Sequence, residues 1–380
     1  MKSRQAGGWV LDRKVNLDGL EVALSRPVLV ARGKGHLWFP TMARLADGGL
    51  LARMSTGADA ATNAPTGLAV WSADGGLTWG GAQSIATGDC SLTLPSGDCL
   101  ILPYFLHPLP GGGMGGPCTI CRRGQTRLEV GPEPVTVTGW PRPDRSDAAN
   151  LGISGFVFDG QSVPLIGGGH LATLYGCFEG QTRYTTVAAE SADGLHWTVR
   201  AVVAGADCEL EGREGPCEPA TCRLADGRLM CAFRMGAVDT PYGKSYSGDD
   251  GRTWTEAVAI PGALSVQPSL AVMKDGMVVL SGGRPGVSLW FDLDGRGERW
   301  QTVPIVSPQD AKVTDISWQE IKVQNRGDVI RTTSYTEVLA LDERNVLLIY
   351  DHIPCGWAPV PEDSPEANSI WAVRATVSRT

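Results

Sequence analysis

The sequence feature that most constrains the fold is a short turn pattern that recurs along the chain. Residues 72–79 (SADGGLTW) and 247–254 (SGDDGRTW) both read Ser-x-Asp-x-Gly-x-Thr-Trp, and weaker copies occupy 191–197 (SADGLHW) and 292–300 (DLDGRGERW). In such a turn, Ser and Asp side chains accept backbone hydrogen bonds, Gly adopts a conformation that other residues resist, and Trp covers the turn with an apolar face. Recurrence at intervals of tens of residues predicts a repeat architecture.

A second pattern predicts the strands that these turns connect. An apolar run, a turn such as Asp-Gly and another apolar run indicate a β-hairpin, and six such turns are centred near residues 47, 97, 168, 226, 275 and 344. Third-strand candidates follow most hairpins, at 67–71, 184–190, 242–246, 287–291 and 370–376. We therefore predict an all-β fold: a six-bladed β-propeller of four-stranded antiparallel blades with Asp-box turns, forming a single domain over residues 1–380. A strand near 27–31 is expected to complete the last blade.

Composition excludes several classes of function. The 380 residues carry a net charge of -8 without acidic or basic blocks, and only 19% are charged, so we expect no nucleic-acid partner. The chain has no run of 18 apolar residues, so no membrane span is expected. The first residues lack the apolar core of a secretory signal, which predicts a cytoplasmic location.

Ten cysteines are most simply interpreted as small buried apolar residues of a cytosolic protein. Cys118 and Cys121 form a lone CxxC without a second pair at zinc-like spacing. We therefore expect neither a metal site nor a cofactor.

Hairpin geometry predicts which side chains gather at one end of the propeller. Residues seven or eight positions on either side of a hairpin turn lie together at the open end. In the fourth hairpin this places Glu218 beside Arg234. The corresponding residues of the other hairpins are Gln267, Pro268 and Arg284 in the fifth, Tyr335 and Asp351 in the sixth, and His36, Trp38, Phe39 and Ser55 with the loop of Asp59 in the first. Because the first two strands of a blade are normally the inner ones, these side chains are expected to surround one mouth of the central channel.

The Asp-box turns and the segments GPCEPATCRLADGRLMCAFR, SGGRPGVSLWFDLDG and SYTEVLALDERNVLLIYD resemble the sialidase (neuraminidase) superfamily over nearly the whole chain. The resemblance implies that Tyr335 is a nucleophile, that Glu218 deprotonates it and that Asp59 is the acid/base. It also implies that Arg234 and Arg284 bind a substrate carboxylate, and that Asp351 stands where a Glu usually supports a first Arg. The chemistry agrees, because a phenol with a pKa near 10 is a poor nucleophile unless a carboxylate accepts its proton.

The first blade departs from the family pattern. Sialidases carry an Arg two residues before a Pro, whereas the matching stretch here is Trp38-Phe39-Pro40-Thr41; Arg53 and His36 are the candidate substitutes. Trp38 and Trp318 are candidates for stacking on a sugar ring.

Three functions follow from the resemblance. The preferred one is a sialidase-like retaining exo-glycoside hydrolase that acts on a terminal acidic sugar, sialic acid or a related one, of a carbohydrate substrate. The alternatives are a polysaccharide lyase with Tyr335 or His36 as its base, and a catalytically inactive glycan-binding propeller.

Overall fold

The computed structural model describes residues 8–59, 66–85, 88–110, 112–140, 155–236, 240–264, 266–284, 286–310 and 330–380. Within these ranges every regular element is a β-strand, and the strands form six sheets. None of the described segments is a helix that could span a membrane. The all-β prediction is therefore confirmed.

The N-terminal strands and the first complete sheet come first in the chain. The N-terminal strands are β1 (Leu11–Leu17), β2 (Leu20–Ser25) and β3 (Val28–Gly33). The first sheet contains β4 (Trp38–Arg44), β5 (Leu50–Ser55), β6 (Gly67–Ser72) and β7 (Gly80–Ile85), in that spatial order. Burial falls from β4 and β5, which are almost wholly buried, to β7, which is mostly exposed.

The next part of the chain contributes to two sheets. Its shorter strands are β8 (Ser91–Thr93), β9 (Cys99–Ile101), β10 (His107–Pro108), β11 (Met114–Gly116), β12 (Thr119–Cys121), β13 (Leu128–Val130) and β14 (Val135–Thr138). The longer ones are β15 (Phe156–Pro164), β16 (His170–Gly176), β17 (Thr185–Ser191) and β18 (His196–Ala204). The second sheet has the order β8-β9-β12-β13, and the third has the order β15-β16-β17-β18-β14-β11-β10.

The last three sheets follow in chain order. The fourth contains β19 (Cys217–Arg223), β20 (Leu229–Arg234), β21 (Pro241–Ser247) and β22 (Val258–Leu264). The fifth contains β23 (Ser269–Val272), β24 (Val278–Gly282), β25 (Val287–Asp292) and β26 (Trp300–Val306). The sixth begins with β27 (Thr336–Ala340), β28 (Asn345–His352) and β29 (Asn368–Arg379), and β2 and β3 both pair with β29.

The sheets have a β-propeller arrangement. Apolar clusters fill the space between successive sheets. One contains Leu100 of the second sheet and Trp197 of the third, and another contains Leu347 of the sixth sheet and Met42 of the first. The first strand of each sheet lies innermost. These strands contact one another in sequence: β8 with β15, β15 with β19, β19 with β23, β23 with β27 and β27 with β4.

Two sequence predictions about the strands meet different outcomes. The strand expected near 27–31 is present as β3, and it pairs with β29 to join the two ends of the chain. Four strands in every sheet is wrong, since the third sheet has seven and the sixth has six. The extra strands are short or outermost, so hydrophobic periodicity signalled them weakly: β10 has two exposed residues, and β1 is largely exposed.

The Asp-containing turns connect third strands to fourth strands, as expected. In the first of them, the Asp74 carboxylate accepts hydrogen bonds from Ser72 Oγ at 2.8 Å, Thr78 N at 2.9 Å and Thr78 Oγ1 at 2.7 Å. Trp79 Nε1 donates to the Gly76 carbonyl at 2.8 Å. The turn at 247–254 repeats this pattern with Ser247, Asp249 and Thr253.

Candidate active site

Backbone strain marks one end of the propeller. Among the described residues, four that are not glycine have a positive φ, and three of these lie at the open ends of inner hairpins: Phe39 (53°), Glu218 (46°) and Ser334 (65°). The β4–β5 register shifts between Trp38 and Thr41, and the β19–β20 register shifts between Cys217 and Ala220. Such backbone costs on the order of 1–3 kcal/mol per residue, persists only where its surroundings impose it, and clusters at functional sites. Bulges at these positions re-aim the side chains of Phe39 and Glu218.

The centre of the site is a contact between Tyr335, Glu218 and Arg234. Tyr335 Oη donates a hydrogen bond to Glu218 Oε1. Arg234 Nη1 lies 2.7 Å from the same carboxylate oxygen and 3.2 Å from Tyr335 Oη. As hairpin geometry predicts, Glu218 and Arg234 are neighbours, and Tyr335 reaches them from the sixth sheet.

Electrostatics keep the Tyr335 phenol protonated in the resting protein. Burial and the adjacent Glu218 charge raise its pKa well above 10, against the opposing effects of Arg234 and Arg284. The phenol oxygen can therefore act as a nucleophile only while Glu218 takes its proton, and the hydrogen bond between them provides that path.

Every side-chain nitrogen of Arg234 bonds to another group of the protein. Its Nε donates to the Gly236 carbonyl at 2.8 Å, its Nη1 bonds Glu218, and its Nη2 lies 2.9 Å from Glu214 Oε2. Glu214 was not among the residues that sequence reasoning selected, because it lies in the segment ahead of β19, outside any hairpin pairing. Its position fixes Arg234 against Glu218.

Beneath Glu218 lies a group of buried polar side chains, of which counting from the hairpin turns selected only Gln267. The second oxygen of Glu218 accepts the backbone N–H of Gln267 at 2.8 Å, and Gln267 Nε2 donates to Asp159 Oδ1 at 3.0 Å. Burial raises the pKa of Asp89 to about 6 and that of Glu337 to about 7, and it raises the pKa of Asp159 strongly. Asp89, Gln267 and Glu337 line a central cavity between the innermost strands β15, β19, β23 and β27.

Arg284 lies against the aromatic side of the site. Its Nη2 donates to the Thr333 carbonyl at 2.8 Å. Its guanidinium carbon lies 5.8 Å from the centre of the Tyr335 ring and 5.6 Å from that of the Trp357 ring. Phe39 completes this side, with its ring centre 4.6 Å from Tyr335 and 5.7 Å from Trp357.

Asp351 supports backbone rather than an arginine. This fully buried carboxylate accepts hydrogen bonds from Thr332 Oγ1 at 2.9 Å, Thr333 N at 2.7 Å, Phe39 N at 3.3 Å and Thr333 Oγ1. Burial raises its pKa. Asp351 thus connects the Phe39 bulge to the segment that carries Tyr335.

The remaining first-blade candidates lie in different environments. Arg53 is 1% exposed and donates to the carbonyls of Gly88 and Asp89. Trp38 is 1% exposed, so it has no accessible face for a sugar ring. The His36 ring packs on Trp38 with ring centres 4.5 Å apart, and burial lowers its pKa.

Asp59 lies in the loop after β5, at the same end of the sheet as Trp38, because Trp38 pairs with Ser55. Its role as the acid/base stays a prediction. Trp318 lies outside the described residues.

The cysteines are distributed through the structure as free thiols. Cys118 directly precedes the short strand β12, and Cys121 is the last residue of that strand. Cys118 Sγ donates to the Glu133 carbonyl and Cys121 Sγ to the Gln125 carbonyl, each at 3.3 Å. Among the described residues, no group of three or more His, Cys, Asp or Glu is placed to hold a metal ion.

Comparison with known proteins gives structural likeness only. No protein-family model matches the chain, and no curated protein matches it. A protein of unknown function from Dyadobacter fermentans shares 18% identity, with 95% of this chain and 100% of that chain covered and a TM-score of 0.66. An α-L-arabinofuranosidase from Fusarium graminearum shares 13% identity, covering 93% and 97%, with a TM-score of 0.59.

A sialidase from Trypanosoma rangeli, solved as a covalent intermediate with 2,3-difluorosialic acid, shares 17% identity. The match covers 89% of this chain and 53% of that chain, with a TM-score of 0.57. At these identities the likeness establishes the fold, which is that of the sialidase-like β-propellers.

Proposed function

We propose that this protein is a retaining glycoside hydrolase on a β-propeller, with Tyr335 as nucleophile and Glu218 as its base. The observation that carries the proposal is the hydrogen bond from Tyr335 Oη to Glu218, with Arg234 bound to both groups. Sialidase-type glycosidases are the known exception in which Tyr replaces the usual carboxylate nucleophile. Solved glycosidases of the same fold support the reaction class.

In the first step, Tyr335 Oη attacks the anomeric carbon of the bound sugar and gives its proton to Glu218. The bond between that carbon and the leaving oxygen breaks, and the protonated Asp59 carboxyl donates its proton to the leaving alcohol. Arg234 stabilises the negative charge that develops on the phenol oxygen as its proton moves to Glu218. The product is a sugar bound through an ether oxygen to Tyr335.

In the second step, water attacks the anomeric carbon from the face that the first alcohol left. Asp59 takes one proton from the water, the bond to Tyr335 breaks, and Glu218 returns its proton to the phenol oxygen. Two displacements at one carbon retain its configuration, and acid and base are both restored.

A test must detect the covalent sugar as well as turnover. Wild type is incubated with activated 2-fluoro sugars, including the difluorinated sialic acid, and the labelled peptide is identified by mass spectrometry. We expect the label on Tyr335. Tyr335→Phe should lose at least about 1,000-fold in kcat on aryl glycosides, because removing a nucleophile costs about that much or more.

Tyr246→Phe is the matched control. The Tyr246 hydroxyl donates to the Arg296 carbonyl at 2.8 Å, and Tyr246 pairs with Met230, four residues along β20 from Arg234, so activity should be unchanged. Turnover that survives in Tyr335→Phe would overturn the mechanism. An unsaturated product absorbing in the ultraviolet would instead support a lyase, and binding without turnover would support an inactive glycan-binding propeller.

A further inference from the structure

We propose that this site selects a neutral sugar, whose apolar C–H face rests on Phe39, rather than a sugar bearing a carboxylate. The inference rests on the proposed function, since it concerns the substrate beside Tyr335. It replaces the acidic sugar expected from the family resemblance, and it follows from the side chains that occupy the first-blade position.

Specific contacts hold the aromatic surface beside Tyr335 in place. Phe39 is held at φ 53° at the bulge of β4, with its N–H bonded to the buried Asp351. Its ring packs between Tyr335, Trp38 and Trp357, with ring centres 4.6, 5.6 and 5.7 Å away. Phe39 and Tyr335 both remain partly exposed, whereas Trp38 and Trp357 are buried behind them. A sugar joined to Tyr335 Oη therefore lies against the Phe39 ring.

Two carboxylates offset the positive charge of Arg234. Arg234 and Arg284 are cations beside Tyr335, and Glu214 and Glu218 both form ion pairs with Arg234. The Arg234 nitrogens are all bonded to Glu214, Glu218 and the Gly236 carbonyl. Arg234 therefore has little positive field left with which to attract a substrate carboxylate.

Neither candidate substitute supplies the missing cation. Arg53 is 1% exposed and donates hydrogen bonds to the Gly88 and Asp89 carbonyls. Its positive charge acts on buried neighbours such as Cys90 and Glu337. His36 is neutral at pH 7, since burial lowers its pKa below 6.5. A carboxylate on the first-blade side of Phe39 would lose its hydration without gaining an arginine donor from that blade, which is a large cost.

A neutral sugar fits the same surroundings. Its ring carbons present an apolar face to Phe39, and its hydroxyls can use the polar groups on the opposite side. Pockets for small ligands commonly combine aromatic walls with a few placed polar groups in this manner. Phe39 is thus inferred to be a specificity-determining residue.

The experiment compares 4-nitrophenyl glycosides of neutral pentofuranoses and hexopyranoses with the sialoside and with hexuronides. In wild type, kcat/KM for the best neutral sugar should exceed that for every acidic sugar by about 100-fold, because buried groups left unpaired discriminate that strongly or more. Phe39→Leu should lower kcat/KM on the neutral sugar by about three- to tenfold, in line with the loss of one aromatic contact. Phe39→Tyr keeps the ring and should retain most of the activity, while thermal unfolding shows whether each variant is folded.

Two failures can be told apart. If an acidic sugar is the best substrate, or if Phe39→Leu turns over neutral sugars as well as wild type does, the inference is wrong while the glycosidase mechanism stands. If wild type hydrolyses nothing, the proposed function is wrong. Saturation-transfer NMR then decides the inference separately: neutral sugars should bind wild type and lose contact in Phe39→Leu, and preferential binding of free sialic acid would refute it.

Discussion

Replacing Glu337 with Gln should change how the stability of the protein depends on pH. Glu337 is buried on β27 at the central cavity, and its Oε1 accepts hydrogen bonds from Gln161 Nε2 at 2.8 Å and Ser269 Oγ at 2.7 Å. Burial raises its pKa from 4.5 to about 7. Gln keeps the acceptor oxygen and the shape of the side chain but cannot ionise.

The direction of the effect follows from proton binding. Between pH 4.5 and pH 7 the folded protein holds a proton on Glu337 that the unfolded chain releases, so the free energy of unfolding falls as pH rises through this range. Each unit of pKa difference corresponds to about 1.4 kcal/mol, so the loss for Glu337 is roughly 3 kcal/mol. The loss is complete above pH 7 and absent below about pH 4.5.

Urea unfolding of wild type and Glu337→Gln at pH 5 and pH 8 measures this difference. The free energy of unfolding of the variant, relative to that of wild type, should rise by up to roughly 3 kcal/mol from pH 5 to pH 8. Asp89 and Asp159 contribute in the same direction to both proteins and largely cancel. Glu343→Gln is the control, since the Glu343 carboxylate is 67% exposed and ion-paired with Lys274. A stability difference between wild type and Glu337→Gln that is the same at both pH values would refute the reasoning.

Two further predictions concern Asp59 and the Asp-containing turns. Asp59→Asn should lose at least about 100-fold in kcat on glycosides with poor leaving groups and far less on those with good ones, because general acid catalysis contributes about that much; an equal loss on both would remove Asp59 from the acid/base role. Asp74→Ala removes the acceptor for Ser72 Oγ, Thr78 N and Thr78 Oγ1 and should lower the unfolding free energy by roughly 1–2 kcal/mol with activity retained. Asp74→Asn keeps one acceptor oxygen, so calorimetry should show a smaller loss of stability than for Asp74→Ala. An equal loss in the two variants would argue against this hydrogen-bond account.

Local signals in the sequence were sufficient for the strands and for one contact in the site. The turns near 47, 226 and 275 join strands of the expected length, because Asp-Gly turns and apolar runs are specified by adjacent residues. Glu218 and Arg234 meet because a hairpin fixes its own register, so counting from the turn finds the pair.

Contacts between sheets were beyond such counting. Glu214 precedes its sheet. Asp159 and Glu337 lie on strands of different sheets, and Asp89 lies just ahead of β8. No periodicity relates residues brought together by closure of the propeller. The bulge at Phe39 was equally hidden, although a Pro directly after it, as after Glu218, was a signal of an interrupted ladder.

The surroundings of Asp351 bear on whether the site has decayed. If an arginine had been lost from the first blade without compensation, the carboxylate that normally supports it would be buried and unpaired, at a cost of several kcal/mol. Asp351 is instead fully buried with hydrogen bonds from Thr332, Thr333 and the Phe39 N–H. These bonds hold the bulge that presents Phe39 and the segment that presents Tyr335, while the Tyr335–Glu218 contact remains intact. A carboxylate that positions both the aromatic surface and the proposed nucleophile favours a site rebuilt for another sugar over a site that has lost its chemistry.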